Sequence, residues 1–149
     1  MNVQQLVDAI GALDATDALQ CRLTVDEWKV LAPYLAVRFL RTGEPLVREG
    51  DTDRELFILA DGELEVTIQG NFVATVLPGG VVGEGTFFSG HPRSASVTPT
   101  SPGVAWGLSW DRFDAMAAKQ PRLAVDLVKG LATVLAIRMR EALLIGNFS

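Results

Sequence analysis

Between residues 36 and 109 no apolar run lasts long before a turn residue interrupts it. Apolar stretches at 37–40, 45–47, 56–59, 64–68 and 72–77 are separated by Thr42-Gly43-Glu44, Gly50-Asp51, Asp61-Gly62, Gly70-Asn71 and Pro78-Gly79-Gly80. Two further segments of the same kind follow at 93–98 and 104–108. Short runs at this spacing predict strands joined by turns, and hence a sandwich or a barrel. Leu64-Glu65-Val66-Thr67-Ile68 alternates apolar and polar side chains, the pattern of a strand with one face in water. The expected fold class is therefore mainly β with flanking helices.

The flanks carry the other period. Leu6, Ile10 and Leu13 recur at three- and four-residue spacing and predict an amphipathic helix over 3–19, weakened by Gly11. Thr24-Val25-Asp26-Glu27 has the form of a capping box, with Trp28, Leu31 and Leu35 behind it, so a short helix should start near Val25 and end between Pro33 and Leu35. Ser109 can cap a helix over 110–119, and Pro121 suits the first turn of a longer one that reaches Leu144. In that last helix Leu123, Leu127, Leu131, Val134, Leu135, Ile137 and Leu144 leave little polar face. So wide an apolar surface needs a second cover besides the core, either another copy of the chain or the N-terminal helix.

The chain's 149 residues and 48% hydrophobic content suit one well-filled core, so the expectation is a single domain over 1–149. Its parts are a helical segment at 1–35, a β-roll at 36–109 and C-terminal helices at 110–145. A net charge of -5 argues against direct nucleic acid binding, which needs cations on phosphates. Cys21 is the sole cysteine, which leaves no disulfide framework or thiolate cluster and fits a reducing cytoplasm. Asp8, Asp14 and Asp17 break the N-terminal segment, so no leader is read there. The longest uncharged run of the C-terminal apolar segment, 130–137, is eight residues and too short to span a bilayer.

His91 is the sole histidine and lies on a Gly-His-Pro turn. A metal site of several histidines cannot be built from it, nor a Ser-His-Asp hydrolase without a histidine held against a nucleophile. The chemistry has to be sought in the stretch Gly83-Glu84-Gly85-Thr86-Phe87-Phe88-Ser89-Gly90-His91-Pro92-Arg93-Ser94-Ala95-Ser96-Val97. Gly83 and Gly85 let backbone approach a ligand, and amides opening a short helical turn at 85–88 point outward as an anion cradle. Past the Gly-His-Pro turn, a loop that doubles back can aim the Arg93 fork at the same anion. Glu84 would repel an anion unless it faced a hydroxyl, as carboxylates do at riboses in other nucleotide sites. A phosphate and a ribose so close together suggest a compact nucleotide.

This stretch resembles the phosphate-binding cassette of the cyclic nucleotide-binding domain family, whose members include catabolite activator proteins, regulatory subunits of the cAMP-dependent kinase and cyclic-nucleotide-gated channels. The glycines at 43, 50 and 62 resemble that family's turns, and the likeness extends over about 23–144. It implies an eight-stranded antiparallel jelly roll with N-terminal helices and a long C-terminal helix. It implies, too, that Glu84 bonds the ribose 2′-hydroxyl and that Arg93 neutralises the cyclic phosphate. Ser94 and the backbone of Gly83, Gly85 and Thr86 complete the cradle, and Arg138 stacks on the base. A solvated charge near the helix C-terminus is the alternative for Arg138. Gly85 departs from the pattern, because the family carries Leu, Ile or Met there to pack the cassette onto the barrel. Phe87 and Phe88 are expected to compensate.

The expected function is a non-catalytic cyclic nucleotide sensor that relays occupancy through its C-terminal helix. Its ligand is cAMP in preference to cGMP, since cGMP-selective members often carry Thr where this chain has Ser94. No cofactor, metal or membrane is expected, and the partners are a small cyclic nucleotide, a second copy through the last helix and an unidentified downstream protein. The chain ends after that helix with no helix-turn-helix, so an effect on transcription would need a partner. The alternative is a dimerising interaction module of the same fold with a vestigial pocket.

Overall fold

A computed structural model of the chain describes residues 2–19 and 23–144; Cys21 lies outside the described residues. Helix α1 (Val3–Ala12) starts where the Asn2 side chain accepts from the Gln4 amide at 2.9 Å. It ends seven residues before the expected boundary at residue 19, because Leu13 is extended and caps back onto Ala9 while the polar residues beyond find partners on another element. Helix α2 (Val25–Leu31) carries the predicted capping box: the Glu27 amide donates to Thr24 Oγ1 at 3.2 Å, and the Thr24 amide donates to Glu27 Oε1 at 3.0 Å. A single 3-10 turn, Ala32–Tyr34, leads into the sheets.

Seven strands follow among the described residues: β1 (Ala36–Leu40), β2 (Glu55–Asp61), β3 (Leu64–Ile68), β4 (Asn71–Val76), β5 (Val81–Val82), β6 (Ser96–Pro99) and β7 (Gly103–Ser109). They form two antiparallel sheets, ordered β1-β7-β2-β5 and β4-β3-β6. Of the runs read as strands, that at 45–47 contracts to one bridge between Val47 and Val97, and β5, which is not among those runs, brings the count to seven where the resemblance implies eight. Pro45 has no amide to donate, and Gly50 bends the chain away three residues after Val47. The expected strand at 93–98 also starts later, because the Arg93 backbone pairs instead with Gly50 and Asp51 at 2.8 and 2.7 Å.

Strands β2 and β7 are buried on both faces. Leu56, Ile58, Trp106 and Leu108 point into a large cluster under the helices, while Phe57, Leu59 and Ala105 point into a smaller one between the sheets. Double burial explains why these two segments read as unbroken apolar runs whereas β3, with one wetter face, alternates. Between β5 and β6 sits α3 (Glu84–Ser89), and after β7 come α4 (Trp110–Lys119), capped by Ser109, and α5 (Pro121–Leu144). Leu123, Leu127, Leu131 and Val134 bury one stripe of α5 in the large cluster. Helix α1 packs on β2 and α2, and among the described residues the outer face of α5 stays uncovered, with Met139 65% and Leu144 73% exposed. No helix among the described residues is long and apolar enough to cross a membrane.

Candidate functional site

The turn that opens α3 is held by three groups distant in sequence. Gly83 adopts φ +80°, a left-handed conformation that L side chains resist, and a Cβ there would come within 2.6 Å of Arg93 Nη1 and 2.9 Å of the Glu55 carbonyl. Arg93 lies underneath. Its Nη1 donates to the Gly83 carbonyl at 2.8 Å, its Nη2 to Asp53 Oδ2 at 2.8 Å and to the Glu55 carbonyl, and its Nε to Asp53 Oδ1 at 3.4 Å. The Arg93 side chain is 2% exposed and that of Asp53 is 50% exposed, so the ion pair has one foot in solvent.

On the other side of the turn, Glu84 is buried and pairs with α5. Arg138 Nη1 donates to Glu84 Oε1 at 2.5 Å, Nε to Asp17 Oδ2 at 2.9 Å and Nη2 to the Val81 carbonyl at 2.8 Å. Burial by itself would lower the Arg138 pKa. The charge of Glu84 and the hydrogen bonds to Asp17 and Glu84 outweigh it and hold the guanidinium above its ordinary value. Arg138 is thus a permanent cation set between two carboxylates.

The back of α3 is aromatic. Phe87 is fully buried and meets Phe88, Trp110 and Phe113 edge-on, with ring centroids 5.0, 5.2 and 5.7 Å away. The carbonyls of Phe87 and Phe88 lie in the last turn, where helices lack internal acceptor partners, and Arg54 supplies them from Nε and Nη2, each at 3.0 Å. The same guanidinium lies 3.9 Å from the centre of the Trp110 ring. The two phenylalanines therefore lock α3 from behind, as expected. Gly85 is exposed and nothing lies within 4 Å of where its Cβ would be, so the missing apolar residue leaves open space and no cavity in the core.

Gly83, Glu84, Gly85, Thr86, Arg93, Ser94 and Arg138 all line one cavity of about 390 Å³, within the usual range of small-molecule sites. Two of them are placed otherwise than the sequence suggests. Arg93 does not project a free fork but spends Nε, Nη1 and Nη2 on protein acceptors. Arg138 is no solvated terminal charge, being paired with acids from two other segments. Sequence reasoning missed Asp53, Arg54, Asp17 and the wall residues Leu13 and Ala15. Asp53 and Arg54 follow the Gly50-Asp51 turn, an acidic and basic cluster that reads locally as a solvated bend; no sequence signal ties Asp17 to Arg138, 121 residues away. His91 is exposed, and its backbone amide, not its ring, donates to Ser89 Oγ at 3.1 Å. What the cavity offers, among the described residues, is a carboxylate with one oxygen engaged, a buried cation at one end and the amides of a helix start that have no intrahelical acceptor.

Comparisons with known proteins place the chain in a family and a fold. The model of the cyclic nucleotide-binding domain matches residues 37–120, more than half of the chain. The Pycsar effector protein XpPycTIR of Xanthomonas perforans is 34% identical over 100 residues, covering 66% of this chain and 32% of that protein. A cGMP-dependent protein kinase of Toxoplasma gondii is 34% identical over 76 residues, covering 51% of the chain and 8% of the kinase. The chain thus spans about a third or less of these relatives. A cyclic nucleotide-binding domain from Methylobacillus flagellatus shares the fold with a TM-score of 0.80 and 24% identity, covering 93% of this chain and 79% of that one. With the glycine-framed turn, its acid and its arginine on one cavity wall and the family model running through all three, the chain belongs to the cyclic nucleotide-binding domain family.

Proposed function

We propose that this chain is a non-catalytic cyclic nucleotide sensor of the cytoplasm that takes cAMP in preference to cGMP and passes occupancy on through α5. The observation that carries the reading is the convergence of Gly83, Glu84, Gly85, Thr86, Arg93, Ser94 and Arg138 on a single cavity. In this reading Glu84 gives its second carboxylate oxygen to the ribose 2′-hydroxyl. The cyclic phosphate rests on the amides of Gly85 and Thr86 and on Ser94, with the Arg93 charge behind it. Arg138 keeps its bonds to protein and offers its flat face to the base. Because Arg138 joins Glu84 to α5, a ligand on Glu84 has a direct hold on that helix and favours one packing of it over another. Ser94 supports the cAMP preference; the kinase relative is named for cGMP, so both nucleotides belong in the test.

One observation favours a second reading, a dimerising module whose pocket is vestigial: each of the three guanidinium nitrogens of Arg93 donates to a protein acceptor. In both readings the bare face of α5 receives a second copy. Melting the purified protein with each nucleotide separates them. A ligand at a hundred times its dissociation constant adds about 2.7 kcal/mol of stability, which is several degrees for a domain of this size. The expected result is a shift with cAMP that Glu84→Ala removes. No shift with any cyclic mononucleotide at millimolar concentration leaves the dimerising module standing.

A further inference from the structure

The segment between α1 and α2 is anchored at both of its described ends and tied to α5 in between. The Leu13 amide donates to the Ala9 carbonyl and the Ala18 amide to the Ala15 carbonyl, each at 3.2 Å, while Ala18 and Leu19 are buried. Between those anchors Thr16 Oγ1 donates to Glu141 Oε1 at 2.6 Å, and Asp17 Oδ2 accepts from Arg138 Nε at 2.9 Å. Arg138 and Glu141 are three residues apart on a helix and share one face, so the two bonds act as a paired latch. Leu13, Ala15 and Asp17 also line the cavity.

The bonds give that cavity an order: Arg93 to Gly83, its neighbour Glu84 to Arg138, and Arg138 to Asp17. If the phosphate lies by Arg93 and the ribose on Glu84, the end beyond Glu84 is left for the base. A base has apolar faces and a polar edge, and the wall there pairs the apolar Leu13 and Ala15 with a carboxylate. Only Oδ2 of Asp17 is used by the bonds among the described residues.

We propose that Asp17 is a positioning residue of the nucleotide site: with Leu13 and Ala15 it closes the end that takes the base, and it fixes Arg138 between itself and Glu84. The proposal rests on the nucleotide reading above. Three probes isolate it: cAMP, cGMP, and ribose 3′,5′-cyclic phosphate, which keeps the sugar and the phosphate but has no base. Asp17→Ala should weaken both nucleotides about tenfold, the size of one lost charge-assisted bond, and speed their release, while affinity for the baseless probe stays unchanged. An equal loss on all three probes would mean that Asp17 acts through Glu84 or the fold, and no loss on any would mean that it does not act at the site; either overturns the proposal.

Hydrogen exchange on the unliganded protein tests the latch separately. The Leu13 and Ala18 amides should exchange faster in Asp17→Ala and in Arg138→Leu than in the parent protein, with the strands unaffected. Unchanged exchange overturns the latch even if nucleotides bind. If the parent protein binds none of the three probes, the nucleotide reading fails and the base-end role falls with it, while the exchange result still decides the latch.

Discussion

Two glycines two residues apart make opposite demands on the chain. Gly83 is left-handed with Arg93 and the Glu55 carbonyl where a Cβ would stand, whereas Gly85 sits in α3 with nothing within 4 Å of a Cβ. Gly83→Ala should therefore cost at least about 2 kcal/mol, from the left-handed penalty and the displaced guanidinium. Gly85→Ala should stabilise by roughly 0.5–1 kcal/mol, because alanine is the better helix former and loses less entropy. Urea unfolding of the two variants checks both signs. Arg93 is structural as well as cavity-lining: Arg93→Ala takes one donor from each of the Gly83 and Glu55 carbonyls, the first of which keeps the Phe87 amide, and removes the cation paired with Asp53. Asp53 is half exposed, so the loss should be about 2 kcal/mol, below the value for a fully buried pair. A loss of ligand response in Arg93→Ala thus has to be read beside its melting curve, and Glu84→Ala is the cleaner probe.

Helix α3 is six residues long and has little stability of its own, so its position depends on Phe87 and on the Arg54 cap. Phe87→Ala opens a void among Phe88, Trp110 and Phe113 and should cost about 3–5 kcal/mol. Arg54→Met keeps an unbranched side chain over Trp110 but leaves two carbonyls to water, and should cost about 1–2 kcal/mol by thermal melting. How much of this was legible depended on distance along the chain. The α2 cap was readable because Thr24 and Glu27 are three residues apart and satisfy each other, and the cassette because its glycines, acid and arginine fall within one short run. The end of α1 was not: Thr16 and Asp17 leave the helix for partners 125 and 121 residues away, which no local period reports. Asp53 and Arg54 went unmarked for the same reason, their partners lying 40 and 33 residues on. The strand at 45–47 had the right composition but lacked the donor that Pro45 withholds.

The two apolar clusters share strands β2 and β7, one on each face, so the helical layer and the space between the sheets should unfold together. The cavity lies where loop 13–18, the β4–β5 region, α3 and α5 meet, so segments from both ends of the chain border it. The exposed Met139, Leu143 and Leu144 predict self-association through α5; sedimentation should give a dimer that Met139→Glu with Leu143→Glu reduces to a monomer, and a monomeric parent protein would contradict that seam. In the proposed function one cavity grips a cyclic sugar phosphate between the Gly83 turn and α5. A crystal structure of the protein soaked with cAMP tests it most directly. Density is expected in the cavity with the ribose on Glu84, the phosphate against Gly85, Thr86 and Ser94, and the base beside Arg138; an empty cavity at saturating cAMP, or a nucleotide bound elsewhere, would contradict the sensor function.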